Sequence, residues 1–592
     1  MTRGNDIWRR FDVWAPEATH LELDVEGDRY TLHADTRRNG WWRPSADDRA
    51  ALEARASEAP DGISYGYRIN GDALLPDPRS RWQPDGVHRA SRTLPDSVTA
   101  RPVPSWTGRQ LAGGVVMEVH IGCFTEAGTF AGAIERLPEL QELGISFIEL
   151  LPVAAFGGHH GWGYDGVDWF AVHEAYGGPR GYHDFVAACH EHGIGVIQDV
   201  VYNHFGPSGN YLPKFGPYLA DHHHTVWGQA INLDGPWSDE VGRYILDNVR
   251  MWAYEYDVDA LRLDAVHALV DTRATTILEE MSMLAEEISA ARGRPFTLIA
   301  ESDLNDPRTI TPREAGGLGV DAQWSDDFHH ALHVAVTGDR SGYFADFDGV
   351  TALAKVWSGG FFHDGSISSF RGRTHGRVLD PRTPSWRLVV CDQNHDQVGN
   401  RADGSRWTDR LSIDQQRLSL AVTLLSPFTP MLFMGEEWGA TTPFCFFSDH
   451  QEPELALATS SGRLREFARM GWDDSKVPDP QAEDTFLASK LDWAEREASP
   501  HRELWDFTKA LIAFRAARPE FANPWRESRD IEARADEELF IVRTNTLSLV
   551  ANFSADERTV DVSATTLLFA SGGGELEDGT VTLPAHTLVV VE

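Results

Sequence analysis

Cysteine is scarce in this chain, four in 592 residues, and Cys123, Cys189, Cys391 and Cys445 stand far apart with no CxxC pairing. That excludes a disulfide framework and offers no zinc-motif spacing, so the four read as small buried residues. Positive charge is short as well: 53 Lys and Arg face 90 Asp and Glu, a formal net charge of -37. Such a surface repels phosphate backbones and anionic lipids, which argues against nucleic-acid and membrane partners. It reads as a solvated shell serving solubility or salt tolerance. A neutral substrate would feel little of this field, whereas an anionic one would need a basic pocket that the sequence does not display. Long apolar runs are missing too. Met1-Thr-Arg-Gly-Asn-Asp-Ile7 has no hydrophobic leader and no later run reaches membrane-spanning length, so a soluble, cytoplasmic protein is expected. Tandem repeats and long low-complexity segments are also lacking, and oligomeric state is left open. What is present is length enough for two or three domains.

From Arg10 to about Ser97 the chain is strand-like. Leu21, Leu23 and Val25 alternate with Glu22 and Asp24, and Tyr65-Gly-Tyr67-Arg-Ile69 alternates before a turn at Asn70-Gly71. A β-sandwich over residues 1–100 is expected, with Pro76 to Pro84 as extended chain and the boundary at Arg101-Pro-Val-Pro104. After Gly113, short apolar runs alternate with amphipathic helical stretches. Val115–Val119, Phe147–Leu151, Val196–Val200, Ala260–Leu263, Leu298–Ala300, Val320–Trp324, Leu388–Val390 and Met431–Met434 read as strands buried on both faces. Phe130–Leu143, Gly181–His192, Asp239–Tyr256 and Ala274–Ala291 read as helices between them. Eight strands with helical crossovers predict an α/β fold, a closed (β/α)8 TIM barrel over residues 101–520. The alternative, an open doubly wound sheet, lacks a glycine-rich phosphate loop after its first strand. Helix Glu503–Ala516 closes the barrel, and Leu539–Arg543, Leu547–Asn552 and Thr587–Val591 predict a small C-terminal β-domain over residues 521–592.

The chemistry of such a barrel gathers where its strands end. In Ala260-Leu-Arg262-Leu-Asp264, Arg262 and Asp264 share one face while Leu261 and Leu263 share the other. A carboxylate beside a guanidinium is held ionised, as a nucleophile requires. Taken alone, the stretch is equally compatible with a structural Arg-Asp pair. The other strand ends add Asp199, leading into Asn203-His204; Glu301; and Gln393-Asn394-His395-Asp396. Carboxylates converging on one rim repel one another unless one keeps its proton and another stays charged, the division that glycoside hydrolysis uses.

In order and interval, Asp199-Val-Val-Tyr-Asn-His204, Arg262-Leu-Asp264, Glu301 and Asn394-His-Asp396 resemble the four conserved regions of the α-amylase family of glycoside hydrolases and transglycosylases. The resemblance spans the barrel. It implies that Asp264 is the nucleophile, Glu301 the general acid/base, and Asp396 a third carboxylate that binds sugar hydroxyls most strongly in the transition state. It also implies that Tyr164, His204, Arg262 and His395 line the subsite of the attacked sugar, with Asp199 supporting the rim, and that no cofactor takes part. A retaining mechanism then requires Asp264 and Glu301 carboxyls roughly 5 to 5.5 Å apart.

The preceding β-sandwich and Met117 to Thr125 resemble the branch holding glycogen-branching, debranching and trehalohydrolase enzymes. Asp321 to His330, Gly435-Glu-Glu437-Trp438, Phe446 to His450 and Pro76 to His88 are similar to the trehalohydrolases within it. The substrate so implied is maltooligosyltrehalose and related α-glucan oligosaccharides. Branching, debranching, plain amylase activity, or a barrel that binds carbohydrate without catalysis, are the alternatives. In Asp321 to His330, Trp324 and Phe328 offer faces for sugar stacking, and Asp326, His329 and His330 offer hydroxyl partners for the leaving trehalose. A helix start capped by Asp326 is the plainer reading of that stretch. Gly157 to Asp165 reads as a substrate loop whose glycines allow close backbone approach, with Tyr164 as a stacking face. Asp221-His222-His223-His224 reads as a solvated polar loop, and no metal site is expected. Asn203 matches a position that often helps bind calcium in α-amylases, but the short interval to Asp259 leaves little room for the inserted domain that completes such a site, and calcium is not predicted.

Overall fold

A computed structural model describes residues 10–95, 97–98, 102–469 and 477–592. Its centre is a closed barrel of eight parallel strands: β1 Val116–Val119, β2 Phe147–Leu150, β3 Gly195–Val200, β4 Ala260–Leu263, β5 Thr297–Ala300, β6 Ala322–Trp324, β7 Leu388–Val390 and β8 Thr429–Phe433. They neighbour one another in chain order, and β8 closes on β1. All eight expected strands lie in the barrel.

Strand periodicity decides what fills it. Val116, Phe147, Ile197, Ala260, Ile299, Ala322, Val389 and Met431 form one buried cluster inside the barrel. Met117, Ile148, Val196, Leu261, Leu298, Leu388 and Leu432, one position on or back, belong to the larger cluster beneath the helices. Two residues further along β1 to β4 the inward positions turn polar, at Glu118, Glu149, Asp199 and Arg262, with Asp264 and Glu301 following at the ends of β4 and β5. An apolar plug thus carries a charged layer at the C-terminal mouth.

Local chemistry fixes the helices. Thr276 accepts from the Glu279 N–H while Glu279 reaches back to Thr276, a capping box that starts Ile277–Arg292; Ser412 and Gln415 do the same for Ile413–Leu424. Each such cap contributes about 1 kcal/mol. The expected helix Phe130–Leu143 is two, Phe130–Ile134 and Leu137–Leu143, because Pro138 belongs in a first turn, where its missing N–H leaves no bond unmade. The expected helix Asp239–Tyr256 is α-helical over Ser238–Arg250 and then widens into a π-helical turn, Met251–Glu255. Arg515, on His501–Ala517, donates to the carbonyls of Leu424, Ser426 and Phe428, which tethers that last helix to the chain entering β8.

Before the barrel lie a three-stranded sheet and a four-stranded sheet, the latter pairing Leu21–Val25 with Ser64–Ile69. One element there escaped the strand pattern: a 13-residue helix, Ala46–Glu58. Ser45 caps it by accepting from Asp48, acids occupy its first turn, and Leu52 and Ala56, four apart, are its buried face. The extended chain from Pro76 docks on the barrel: Arg79 pairs with Asp247 at 2.8 Å and Arg81 with Glu255 at 2.8 Å. Of the expected boundary, residues 100 and 101 lie outside the described residues. After the barrel, a five-stranded and a three-stranded antiparallel sheet pack around Leu539, Ile541, Val550, Val560, Val581 and Val589. The four cysteines are buried and free. Among the described residues no helix is long and apolar enough to cross a membrane. The histidine triplet is not in a loop, as the sequence suggested: it lies on strand Leu219–Thr225, which pairs with Gly228–Ile231 in a hairpin.

Candidate active site

Arg262 organises the mouth of the barrel. Its side chain is fully buried, and its Nη1 donates to Asp199 Oδ2 at 2.8 Å and to Asp264 Oδ1 at 2.9 Å. Nη2 lies 2.9 Å from Glu301 Oε2. Burial favours loss of the proton, but three surrounding carboxylates outweigh it and drive the guanidinium pKa well above its usual range. One cation therefore holds three acids from three successive strands.

The acids are not equivalent. Burial raises the Glu301 pKa; Arg262 opposes the rise and the charge of Asp264 adds to it. The backbone N–H of Ala265 also donates to Glu301 Oε2, at 2.8 Å, so both donors address one oxygen and Oε1 is left for a proton. Ala265 takes a left-handed conformation, φ 40°, to aim that N–H. For a residue with a Cβ this costs on the order of 1 kcal/mol, strain of the kind found where geometry serves chemistry. Asp264 receives Arg262 on Oδ1 and the Asn203 amide on Oδ2 at 2.6 Å. Burial lifts the Asp199 pKa to about 7 against the pull of Arg262, and its Oδ2 accepts the Tyr164 hydroxyl at 2.8 Å.

On the far side, Asn394 caps the helix His395–Gly399 by accepting from the Asp396 and Gln397 N–H groups, which sets Asp396 in its first turn. Its carboxyl is 41% exposed and lies 3.6 Å from His395 Nε2. His395 is clamped beneath: Nδ1 is 2.6 Å from Glu118 Oε1, its backbone N–H donates to Oε2 at 2.8 Å, and Nε2 is 2.9 Å from the Tyr164 hydroxyl. Burial alone would lower the His395 pKa, but Glu118 and Asp396 outweigh it and push it to about 10. Tyr164 stacks on His395 with ring centroids 5.3 Å apart, and His204 reaches the Tyr164 carbonyl at 3.0 Å and the Asn203 side chain. Asn203, considered for calcium from sequence, has both ends of its amide engaged, with Asp264 and with His204. The glycine before Tyr164 is required by the chain itself: Gly163 has φ +104°, and a Cβ would lie 2.1 Å from the Pro152 carbonyl.

Of the residues after β6, two are elsewhere than expected. Phe328 is fully buried on helix Asp326–Thr337, edge-to-face with Phe428 at 5.9 Å, so it is core and presents no face to a sugar. Trp324 is 4% exposed, with the Arg262 guanidinium 4.3 Å over its ring; it is the floor of the charged layer and not an open platform. Strand alternation turns Trp324, the last residue of β6, inward, and helix phase places Phe328: Ser325 is the N-cap, so Asp326 begins the helix and Phe328 falls on its inner side. Asp326 does face the site: burial, Glu301 and Asp396 raise its pKa to about 7. His329 is buried, gives Nδ1 to the Asp392 carbonyl at 2.7 Å, and lines a cavity of about 100 Å³ together with Asp396, Tyr343 and Trp407.

Glu118, Glu149, Tyr343, Phe370 and Trp227 join the site without having been expected there from the sequence. Glu118 and Glu149 sit at inward positions of β1 and β2, where a charged residue inside an apolar run was itself the signal. Tyr343 and Phe370 are 43% and 60% exposed with ring centroids 5.9 Å apart, and Tyr343 lies in the field of Asp326 and Asp396. Trp227, at the tip of the 219–231 hairpin, stacks on His204 at 5.3 Å.

Residues 88–217 match the alpha-amylase catalytic-domain family. Over all of both chains, the protein is 51% identical to a malto-oligosyltrehalose trehalohydrolase of Rhizobium sp. (strain M-11). It is 54% identical to that of Arthrobacter ramosus over 89% of this chain and 90% of the relative, and 40% identical to that of Saccharolobus solfataricus over 85% and 84%. A crystal structure from Salmonella typhimurium assigned to alpha amylase superposes with TM-score 0.87 at 35% identity, covering 98% of this chain and 97% of that one. A pullulanase from Anoxybacillus sp. LM18-11 complexed with maltotetraose shares the fold, TM-score 0.70 at 17% identity, over 98% and 85% of the two chains. With the barrel, the charged mouth and full-length identity in agreement, the chain belongs to the malto-oligosyltrehalose trehalohydrolase family of alpha-amylase-type glycoside hydrolases.

Proposed function

We propose that this enzyme hydrolyses the α-1,4-glucosidic bond next to the terminal trehalose of a maltooligosyltrehalose, with retention of configuration, and releases trehalose for its biosynthesis. In this reading Glu301 protonates the glycosidic oxygen through Oε1 while Asp264 attacks the anomeric carbon. The C–O bond to trehalose breaks as the C–O bond to Asp264 forms. Glu301, now ionised, takes a proton from water as that water displaces Asp264, restoring both carboxyls. Arg262 keeps the charges from repelling. Asp396, open to solvent, hydrogen-bonds sugar hydroxyls as the ring flattens toward the oxocarbenium-like transition state, and Tyr164, His204 and His395 bound the attacked sugar.

The observation that carries the proposal is the sharing of one guanidinium by Asp264 and Glu301, on Nη1 and Nη2. Carboxyls drawn to one guanidinium suit the separation of about 5 to 5.5 Å that a retaining pair uses. The identity of the leaving group rests on the family. Incubation with maltopentaosyltrehalose should yield trehalose and maltopentaose, far faster than maltoheptaose is cut. Asp264→Asn and Glu301→Gln should each lower kcat at least about 10³-fold while the protein stays folded. Equal rates on the two substrates would refute the specificity, and an active variant would refute that residue's role.

A further inference from the structure

The hairpin Leu219–Ile231 projects beside the site and carries Trp227 onto the ring of His204. Its pairing is irregular: Leu219 faces Ile231 and His224 faces Gln229, so extra residues of the first strand bulge between these two pairs. On a regular strand His222 and His223 would point to opposite sides. The bulge re-aims them, and both imidazoles turn to one carboxylate. His222 Nε2 is 3.0 Å from Asp234 Oδ1, His223 Nε2 is 3.3 Å from Oδ2, and the rings are 4.2 Å apart.

We propose that His222, His223 and Asp234 form a binding site for a divalent transition-metal ion, best matched to zinc, at the root of this hairpin. The three ligand atoms all lie within 4.8 Å of one another. Ligands about 2.0 to 2.2 Å from a tetrahedral zinc ion sit about 3.3 Å apart; each imidazole nitrogen is already at that distance from one Asp234 oxygen, and binding draws the two imidazoles together onto the shared ion. Asp234 is held for the purpose: its side chain is 4% exposed, and Oδ2 accepts the Thr272 hydroxyl at 2.6 Å and the Thr272 N–H at 3.2 Å. Outer-shell bonds of this kind orient metal-binding carboxylates. His222 is half exposed, which leaves a path for the ion and for water as a fourth ligand. Two imidazole nitrogens disfavour calcium and magnesium, which take oxygen ligands. Ligation would join the hairpin to Thr272, on the loop that follows the Asp264 strand, and so restrain the segment that bears Trp227.

Calorimetric titration of the full chain, freed of metal by chelator, with zinc chloride tests this. One equivalent should bind; His222→Ala, His223→Ala and Asp234→Asn should each weaken that binding at least about 10-fold, and Thr272→Val should weaken it less. Calcium chloride should give no such binding, and cobalt(II) should develop the visible absorption of a tetrahedral site that His222→Ala abolishes. Absence of saturable zinc binding, or an isotherm unchanged by His222→Ala, would overturn the proposal. His222 is exposed enough for its alanine variant to fold, so that result decides.

Discussion

Replacing Glu118 by Gln tests how the buried layer supports the chemistry above it. Glu118 and His395 side chains are each 2% exposed, joined at 2.6 Å. Burial favours neutral imidazole, yet the pair and Asp396 raise His395 from 6.5 to about 10. That difference corresponds to about 5 kcal/mol, in line with about 3 to 5 kcal/mol for breaking a buried ion pair. Because the folded value lies above the unfolded one, this stabilisation is complete below pH about 6.5 and is lost as pH rises through about 10. The glutamine keeps the shape but not the charge, so burial prevails and His395 loses its proton within the working range. The kcat/KM profile on maltopentaosyltrehalose, measured from acid to alkaline pH, should then change form. On the proposed mechanism, the proton on Glu301 should limit the alkaline side in the parent enzyme. In Glu118→Gln the fall should begin at lower pH and steepen toward two protons, and melting at pH 6 should come several degrees earlier, with the deficit shrinking as pH approaches 10. Superimposable profiles with unchanged melting would refute the claim that Glu118 keeps His395 charged.

Tyr343→Ala and Phe370→Ala should each raise KM for maltopentaosyltrehalose about 2- to 12-fold, the worth of one aromatic contact, with kcat little altered; unchanged KM in both would remove the leaving-group side from this face. Phe328→Ala should cost about 3 to 5 kcal/mol of stability, read from melting, while the folded enzyme keeps its KM. A large KM change without destabilisation would return Phe328 to the sugar side.

Much of this molecule was legible before any coordinates. Apolar runs of three to five residues marked all eight barrel strands because a parallel strand is buried on both faces, and the acids that follow them are distinctive for the same reason. What escaped depended on phase and on distance along the chain. Phe328 and Trp324 have the composition of a sugar platform, but the helix starting after Ser325 turns one into the core, and strand alternation sends the other inward beneath Arg262. Glu118 belongs to β1 and His395 follows β7, 277 residues away, so no local pattern announces their pairing. The helix Ala46–Glu58 had its cap in plain view at Ser45 and was overshadowed by the strands around it. Adjacent histidines share Asp234 only because the hairpin bulges.

A double displacement that releases trehalose leaves a signature in the anomers it forms. Proton NMR of the reaction on maltopentaosyltrehalose tests it directly, since it follows trehalose and the newly formed reducing end of maltopentaose in one sample. Trehalose and the α-anomer of maltopentaose should appear first, the β-anomer only as mutarotation proceeds. An initial β-anomer, or maltose and glucose in place of trehalose, would contradict it.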